Sequence, residues 1–230
     1  MEKIVGIIVA GGKSVRFGDD KLLVEIKDKP LIYYSLRTFD RVKRISELIL
    51  VVREDKINFY QEKIKEWNLS KKIKLVVGGK ERQHSVCNGI RSIEEPCEYV
   101  IIHDAARPFV KIENIEKLID FCIERKTSGI LGIPSKDTVK LVDEKGRVEA
   151  TLERKKIWLI QTPQMFPYNL LLEAHNKALQ DGFLGTDDAV LLERLGYPVY
   201  IVEGDPFNIK ITTKEDLIWI DYISKILELV

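Results

Sequence analysis

Short apolar runs alternate along the chain with stretches whose apolar residues recur at helical spacing. Ile4–Ala10, Leu48–Val52, Ile73–Val77, Tyr99–His103 and Gly129–Ile133 are brief, rich in β-branched residues and apolar on both faces. Such runs suit the interior of a parallel sheet, which is covered on both sides. Between them, Leu31–Phe39, Lys56–Trp67, Arg82–Ile93 and Ile112–Arg125 carry one apolar stripe each, the mark of helices lying on a sheet. This β-α-β-α order predicts an α/β fold with a doubly wound, mostly parallel sheet and right-handed crossovers. There is no internal repeat, low-complexity tract or clear linker, so residues 1–230 are read as one domain.

One segment leaves the rhythm. Asp137–Glu153 holds two alternating runs around Asp143, Glu144, Lys145 and Gly146, a hairpin signature. An isolated hairpin is marginal in water. It is therefore expected to pack on a second subunit as an arm, over residues 137–154, giving a homodimer. The alternative is a hairpin folded onto its own sheet. Farther on, a helix is predicted near Pro167–Asp181. The turn Gly185-Thr186-Asp187-Asp188 opens a short helix, with Thr186 or Asp187 suited to the N-cap. A strand at Val199–Val202 precedes Asn208-Ile209-Lys210, where a charge interrupts an apolar strand. The final helix is predicted over Lys214–Leu229.

The chemistry begins where the first strand ends. Ala10 runs into Gly11 and Gly12, followed by Lys13, Ser14, Arg16, Gly18 and Lys21. Small residues let backbone N–H groups approach an anion, and basic side chains neutralise it. A P-loop is excluded, because its first glycine would stand five positions before Gly12, where the chain has Ile7. The spaced glycines of a dinucleotide fingerprint are missing too. The alternative is a plain strand-to-helix turn with solvated lysines. At the end of another predicted strand stand His103, Asp104 and Arg107. Asp104 suits Mg²⁺, which takes one or two protein carboxylates and completes its shell with water and phosphate. Arg107 suits bidentate grip of an anion, and His103 a buried hydrogen bond. The alternative for Asp104 is a turn cap paired with Arg107. Gly78, Gly79, Lys80 and Ser85 follow a third strand and offer backbone groups and a hydroxyl to a nucleobase or ribose, or serve as an ordinary helix start. Thr138 and Arg154 lie at the two feet of the hairpin, and Thr186 and Lys210 complete the polar set. Arg16, Lys21, Arg107, Arg154 and Lys210 exceed the cation one triphosphate needs, which suggests a second anionic substrate.

Composition narrows the partners. The net charge is +1, from 37 basic and 36 acidic residues, so a general nucleic-acid or membrane surface is not expected and any positive site is local. The three cysteines, Cys87, Cys97 and Cys122, lack metal-site spacing and read as reduced thiols. With no apolar run of membrane-spanning length and no cleavable leader, the expected location is the cytoplasm.

In order along the chain, Ala10-Gly11-Gly12 through Arg16 and Lys21, GGKERQHS, HDAARP, KDTVK, TLER, QTPQ, GTDDA and NIKITT resemble the 2-C-methyl-D-erythritol 4-phosphate cytidylyltransferase family. The resemblance covers nearly the whole chain. It implies a Rossmann-like domain with a projecting arm and a homodimer built through that arm. It also implies transfer of CMP from CTP to a polyol phosphate with Mg²⁺ or another divalent cation. By position, Arg16 and Lys21 resemble the family's cations at the CTP phosphates, with Lys210 at the reacting phosphate. Ala10, Gly11, Gly12, Gly79 and Lys80 resemble its backbone contacts to nucleotide, and Ser85 its cytidine-side hydroxyl. Asp104 corresponds to the carboxylate near metal and substrate. Arg107 and Thr186, with Thr138 and Arg154 from the partner's arm, resemble the methylerythritol phosphate site. Cytidylyltransferases for other polyol phosphates, ribitol 5-phosphate among them, share much of the pattern, and the Thr-Leu-Glu-Arg run favours the methylerythritol enzyme.

Overall fold

The computed structural model describes residues 2–12 and 20–226. Arg16, with Lys13, Ser14 and Gly18, lies outside the described residues, as do the last positions predicted for the final helix. In chain order the elements are β1 (Ile4–Ala10), β2 (Glu25–Ile26), β3 (Lys29–Pro30), α1 (Leu31–Arg41), β4 (Ile45–Val52), α2 (Ile57–Trp67), β5 (Ile73–Val77), α3 (Arg82–Arg91) and β6 (Tyr99–Asp104). Then come α4 (Ile112–Arg125), β7 (Ser128–Pro134), β8 (Lys140–Val142), β9 (Val148–Thr151), β10 (Trp158–Pro167), α5 (Tyr168–Gln180), α6 (Ala189–Arg194), β11 (Val199–Glu203) and α7 (Leu217–Ile226).

Seven strands form the main sheet in the order β11-β7-β10-β6-β1-β4-β5. All neighbours are parallel except β10, which runs antiparallel to both β6 and β7. Odd and even residues of β1 serve opposite faces, as a strand of period two must. Ile4 and Ile8 join one core with Phe39, Ile101 and Leu118, under α1 and α4. Val5 and Ile7 join the other with Val86, Ile90 and Leu171, under α3 and α5. The chain leaves β1 toward β4 on one side and later places β6 on the other. Strand order therefore reverses beside the carboxyl end of β1, where open α/β sheets bind ligands. The register puts Val9 beside Asp104 and Ala10 beside Val52, so three loops converge there.

Three local expectations are corrected, and one strand is added. Trp158–Pro167 forms a ten-residue strand, β10, threaded between β6 and β7. Residues 208–213 are not a strand, so Lys210 sits on a loop that packs through Ile211 and Asn208, both fully buried. The short helix α6 enters at Asp188 rather than Thr186 or Asp187, although the Asp187 carboxylate does accept the Val190 N–H at 3.1 Å. The last helix begins at Leu217, three places later than expected, because Asp216 binds the N–H groups of Thr212 and Thr213 in a turn ahead of it.

The hairpin forms as β8 and β9, a two-stranded ribbon separate from the main sheet, with every residue of both strands exposed. Its turn is closed by the Asp143 carboxylate, which accepts the N–H groups of Lys145 and Arg147, and by Gly146 at φ +80°. That left-handed position favours glycine. Leu141, Val142 and Val148 are each at least half exposed, an apolar strip with no covering layer among the described residues.

Candidate active site

The turn from β5 into α3 shapes one wall of the site. Ser85 Oγ accepts the Gly79 N–H at 3.0 Å and donates to the Glu81 carbonyl at 3.1 Å. Glu81 and His84 form a reciprocal cap at the start of α3. A Cβ at Gly79 would meet His84 Cβ at 2.4 Å, so this close turn requires glycine there. The Ser85 hydroxyl thus holds the turn, while Lys80 stands exposed beside it.

Gly11, Gly12 and this turn border a cavity of about 430 Å³, which Ala10, Lys21, Lys80, Arg82, Ser85, Asp104 and Lys210 also line. A second cavity, of about 270 Å³, is lined by Arg107, Thr162, Gln164, Thr186 and Asp187, and again by Arg82, Asp104 and Lys210. These last three side chains form a wall common to both cavities. Asp104 is the centre of that wall. Its Oδ1 accepts from Arg82 Nε at 2.9 Å and its Oδ2 from Lys210 Nζ at 2.6 Å. Burial alone would favour a neutral carboxyl, but Arg82 and Lys210 outweigh it and hold Asp104 well below the usual carboxylate range.

Lys210 is delivered by its loop. The Ile211 N–H donates to the Ala106 carbonyl at 2.9 Å, and the Asn208 amide donates to the Thr162 carbonyl at 2.8 Å. Lys21 meets the same loop, donating to the Ile211 carbonyl at 2.8 Å. Arg107 does not pair with Asp104. Its Nη1 donates to the Asn208 carbonyl at 2.7 Å, while Nε has no hydrogen-bond partner among the described residues. Arg82 Nη2 is likewise without one. Both atoms are buried, so each guanidinium lines a cavity while holding one orphaned donor behind its exposed edge.

His103 is spent on structure. It is fully buried, with Nε2 3.0 Å from the Arg107 carbonyl and Nδ1 3.0 Å from the Thr162 hydroxyl. That hydroxyl accepts the Asp104 N–H, so it donates to Nδ1 and His103 is the neutral Nε2–H tautomer. Burial pushes its pKa down to about 4, which agrees. No thiol nucleophile is prepared either: burial pushes Cys97 up to about 11 and Cys122 up to about 12. Among the described residues no cluster of three or more acidic, His or Cys side chains is placed to hold a metal. Asp104 is the ionised carboxylate at both cavities, but its two oxygens already accept from Arg82 and Lys210, so a Mg²⁺ there would take only a remaining lone pair and draw most of its shell from water and phosphate oxygens.

Lys21, Lys210, Asp104, Arg107, Thr186 and the residues of the two glycine turns thus meet at one place. Thr138 and Arg154 do not. Both are exposed on the hairpin's feet, where Arg154 donates to the Lys136 carbonyl at 3.1 Å. Arg82 was missed by the reading of the sequence, although it stands inside GGKERQHS; a charged residue in the first turn of a helix looks like ordinary solvated surface. Asp188 was read only as part of its turn and of GTDDA, and His175 not at all, because their role depends on how α5 and α6 dock on α3.

A family model described as 2-C-methyl-D-erythritol 4-phosphate cytidylyltransferase matches residues 4–225. A 2-C-methyl-D-erythritol 4-phosphate cytidylyltransferase of Dictyoglomus thermophilum is 59% identical, with 100% of each chain covered. One from Caldanaerobacter subterraneus subsp. tengcongensis is 46% identical over 94% of this chain and 96% of its own. Among solved structures, the 4-diphosphocytidyl-2C-methyl-D-erythritol synthase of Anaerococcus prevotii superposes with a TM-score of 0.87 at 33% identity, covering 97% of this chain and 99% of its own. A 2-C-methyl-D-erythritol 4-phosphate cytidylyltransferase of Thermus thermophilus does so with a TM-score of 0.78 at 29% identity, covering 98% and 100%.

Proposed function

The chain belongs to the 2-C-methyl-D-erythritol 4-phosphate cytidylyltransferase family, and from that premise we propose that its two joined cavities hold its two substrates. It is a nucleotidyltransferase that transfers CMP from CTP to 2-C-methyl-D-erythritol 4-phosphate, releasing pyrophosphate, in the non-mevalonate route to isoprenoid precursors. CTP takes the larger cavity, its base and ribose against Gly79, Lys80 and Ser85 and its triphosphate along Ala10, Gly11 and Gly12. The polyol phosphate takes the smaller one, beside Arg107 and Thr186. The observation that carries this assignment is the wall of Arg82, Asp104 and Lys210, which belongs to both cavities.

The chemistry needs no protein base. A phosphate monoester has a second pKa of about 6 and is largely a dianion at neutral pH. Its oxygen forms a bond to the α-phosphorus of CTP, the bond from that phosphorus to the bridging oxygen breaks, and pyrophosphate leaves with the electron pair. The obstacle is bringing two anions together, so positioned cations carry catalysis. Lys21 and Lys210 both line the larger cavity, and Arg16 is assigned to the same triphosphate. Asp104 is the protein ligand we assign to Mg²⁺ or another divalent cation. Bound there, the ion would neutralise phosphate charge. The locked, neutral His103 takes no part in proton transfer.

We assign the hairpin to a homodimer, in which the partner's Thr138 and Arg154 complete the polyol phosphate site. The exposed apolar strip of Leu141, Val142 and Val148 supports this reading. The buried, unpaired cysteines support a cytoplasmic location. Among the described residues no helix is long and apolar enough to cross a membrane.

The test is pyrophosphate release from CTP and Mg²⁺ with methylerythritol phosphate or ribitol phosphate as acceptor. Methylerythritol phosphate should be the better acceptor by kcat/KM. Faster turnover of ribitol phosphate would move the chain to the other polyol class.

A further inference from the structure

Arg82 enters the shared wall from the first turn of α3 and is anchored twice. Nε donates to Asp104 Oδ1 at 2.9 Å, and Nη1 donates to Asp188 Oδ2 at 2.8 Å. Asp188 is fully buried at the entry to α6. Its other oxygen lies 3.2 Å from Nε2 of His175, itself buried on α5. That contact is off-axis for a hydrogen bond, and neither atom has one among the described residues, so its attraction is between charges. On the far side, Asp104 continues to Lys210. A chain of alternating charge thus runs from His175 through Asp188, Arg82 and Asp104 to Lys210.

We infer that Asp188 and His175 are positioning residues for cytidylyl transfer, fixing Arg82 so that its guanidinium holds Asp104 in the wall between the two cavities. This rests on the transfer reading above. An arginine anchored through one nitrogen can swing about its long stem; anchored at Nε and Nη1 by two carboxylates, its plane is set. Without Asp188, Arg82 would lose that second point, and Asp104 would shift toward Lys210 and keep the lysine from phosphate. Burial opposes a charged Asp188, but Arg82 first and then His175 hold its carboxyl below the usual range, so it stays ionised out of water. Burial opposes a charged imidazole, but Asp188 and then Cys87 raise His175 to about 8, a shift that favours the charged ring at neutral pH. Asp188 from α6 and Cys87 from α3 are the titratable groups that face it.

The fold does not depend on Asp188 alone. Gln83 already ties α3 to this turn, accepting the Gly185 N–H at 2.8 Å and donating to the Phe183 carbonyl at 2.9 Å. Gln164 donates to Asp187 at 2.8 Å. Asp188→Asn keeps the volume and should fold.

The experiment compares the full-length chain with Asp188→Asn, Arg82→Lys and the double variant in the pyrophosphate assay with CTP and methylerythritol phosphate. Each single change should lower kcat by about 10- to 100-fold, the scale of a small misplacement at a reacting centre. The double variant should be no slower than the worse single, because both changes break one contact. Multiplying losses would overturn the inference. His175→Gln should remove the step near pH 8 from the rate profile; a retained step would overturn the part given to His175. A second readout needs no turnover. The Arg82 Nε–H signal in ¹⁵N NMR, identified by its loss in Arg82→Lys, should move in Asp188→Asn, and an unmoved signal would overturn the positioning role. A wild-type chain that releases no pyrophosphate would defeat the transfer reading instead, and the Arg82 signal would still decide the positioning.

Discussion

Replacing Lys210 by methionine separates catalysis from folding at the centre of the site. Met keeps much of the apolar stem and removes only the charge. Lys210 Nζ lies 2.6 Å from Asp104 Oδ2, a contact whose gross Coulomb energy is several kcal/mol at an effective dielectric of about 20. Its side chain is 37% exposed, so water screens much of that energy and the net loss of stability should be about 1 kcal/mol. Asp104 also keeps Arg82 as a partner, so no buried charge is left bare. For a chain of this size the melting temperature should fall by about 2–4 °C. Catalysis should suffer more. Removing one preorganised group from a developing anionic centre typically costs about 2.7–4 kcal/mol, or roughly 10²–10³ in kcat. The assay is pyrophosphate release at saturating CTP and polyol phosphate, run beside a melting curve. A kcat within about threefold of wild type, a difference of roughly 0.7 kcal/mol, would refute the role given to Lys210. A melt lowered by ten degrees or more would instead show that the lysine is mainly structural.

Gly79→Ala places a Cβ 2.4 Å from His84 Cβ and must push the turn open, costing about 1–3 kcal/mol and raising KM for CTP; an unchanged KM would mean that the turn does not touch the nucleotide. Arg154→Ala should raise KM for the polyol phosphate and leave KM for CTP alone, and equal effects on both would count against a partner's arm in the second cavity. Sedimentation at micromolar concentration should give a dimer, and Leu141→Asp, which sets a charge on the exposed strip, should give a slower monomer; a monomeric wild type removes the arm proposal. His175 is raised from 6.5 to about 8, so the stability it adds is complete below pH about 6.5 and lost as pH rises through about 8, on the order of 2 kcal/mol. The melting temperature should therefore fall between pH 6 and pH 9, and fall less in His175→Gln; equal falls in the two proteins would contradict the assignment.

The parts of this molecule governed by local pattern were legible in the sequence. The first strand, Ile4–Ala10, reads as buried on both faces because its neighbours cover both, and the hairpin reads from its alternation and from Gly146. Lys21 and Asp104 were legible as chemistry because they follow the ends of predicted strands, and Lys210 because a charge interrupts an apolar run. What was lost depended on tertiary contact. The strand β10 runs against its neighbours, and nothing within Trp158–Pro167 states which direction the sheet will accept. Lys210 was expected on a strand because apolar residues flank it; Ile211 is buried, but by docking of a loop on Ala106 rather than by sheet pairing. Arg82 was passed over because its value lies in its distance to Asp104 and Asp188, 22 and 106 residues away.

Reversal of strand order beside β1 has a chemical consequence. It leaves a crevice at the carboxyl ends of β1 and its neighbours β4 and β6, and Asp104 ends β6 there. A single carboxylate there would repel two phosphorylated substrates. Arg82 and Lys210 reverse the sign of that wall, since two cations surround one anion. Under the proposed two-cavity assignment, each substrate would meet net positive charge from its own cavity, while Asp104 holds the two cations between them. The wall would then offset the repulsion between nucleophile and triphosphate, and the buried pair of Asp188, at the entry to α6, and His175, on α5, extends that alternation into the core. Activity should therefore depend more steeply on the wall's net charge than on any one of its hydrogen bonds. By that argument Asp104→Asn, which leaves both cations in place, should disturb positioning more than binding, whereas Lys210→Met should disturb both.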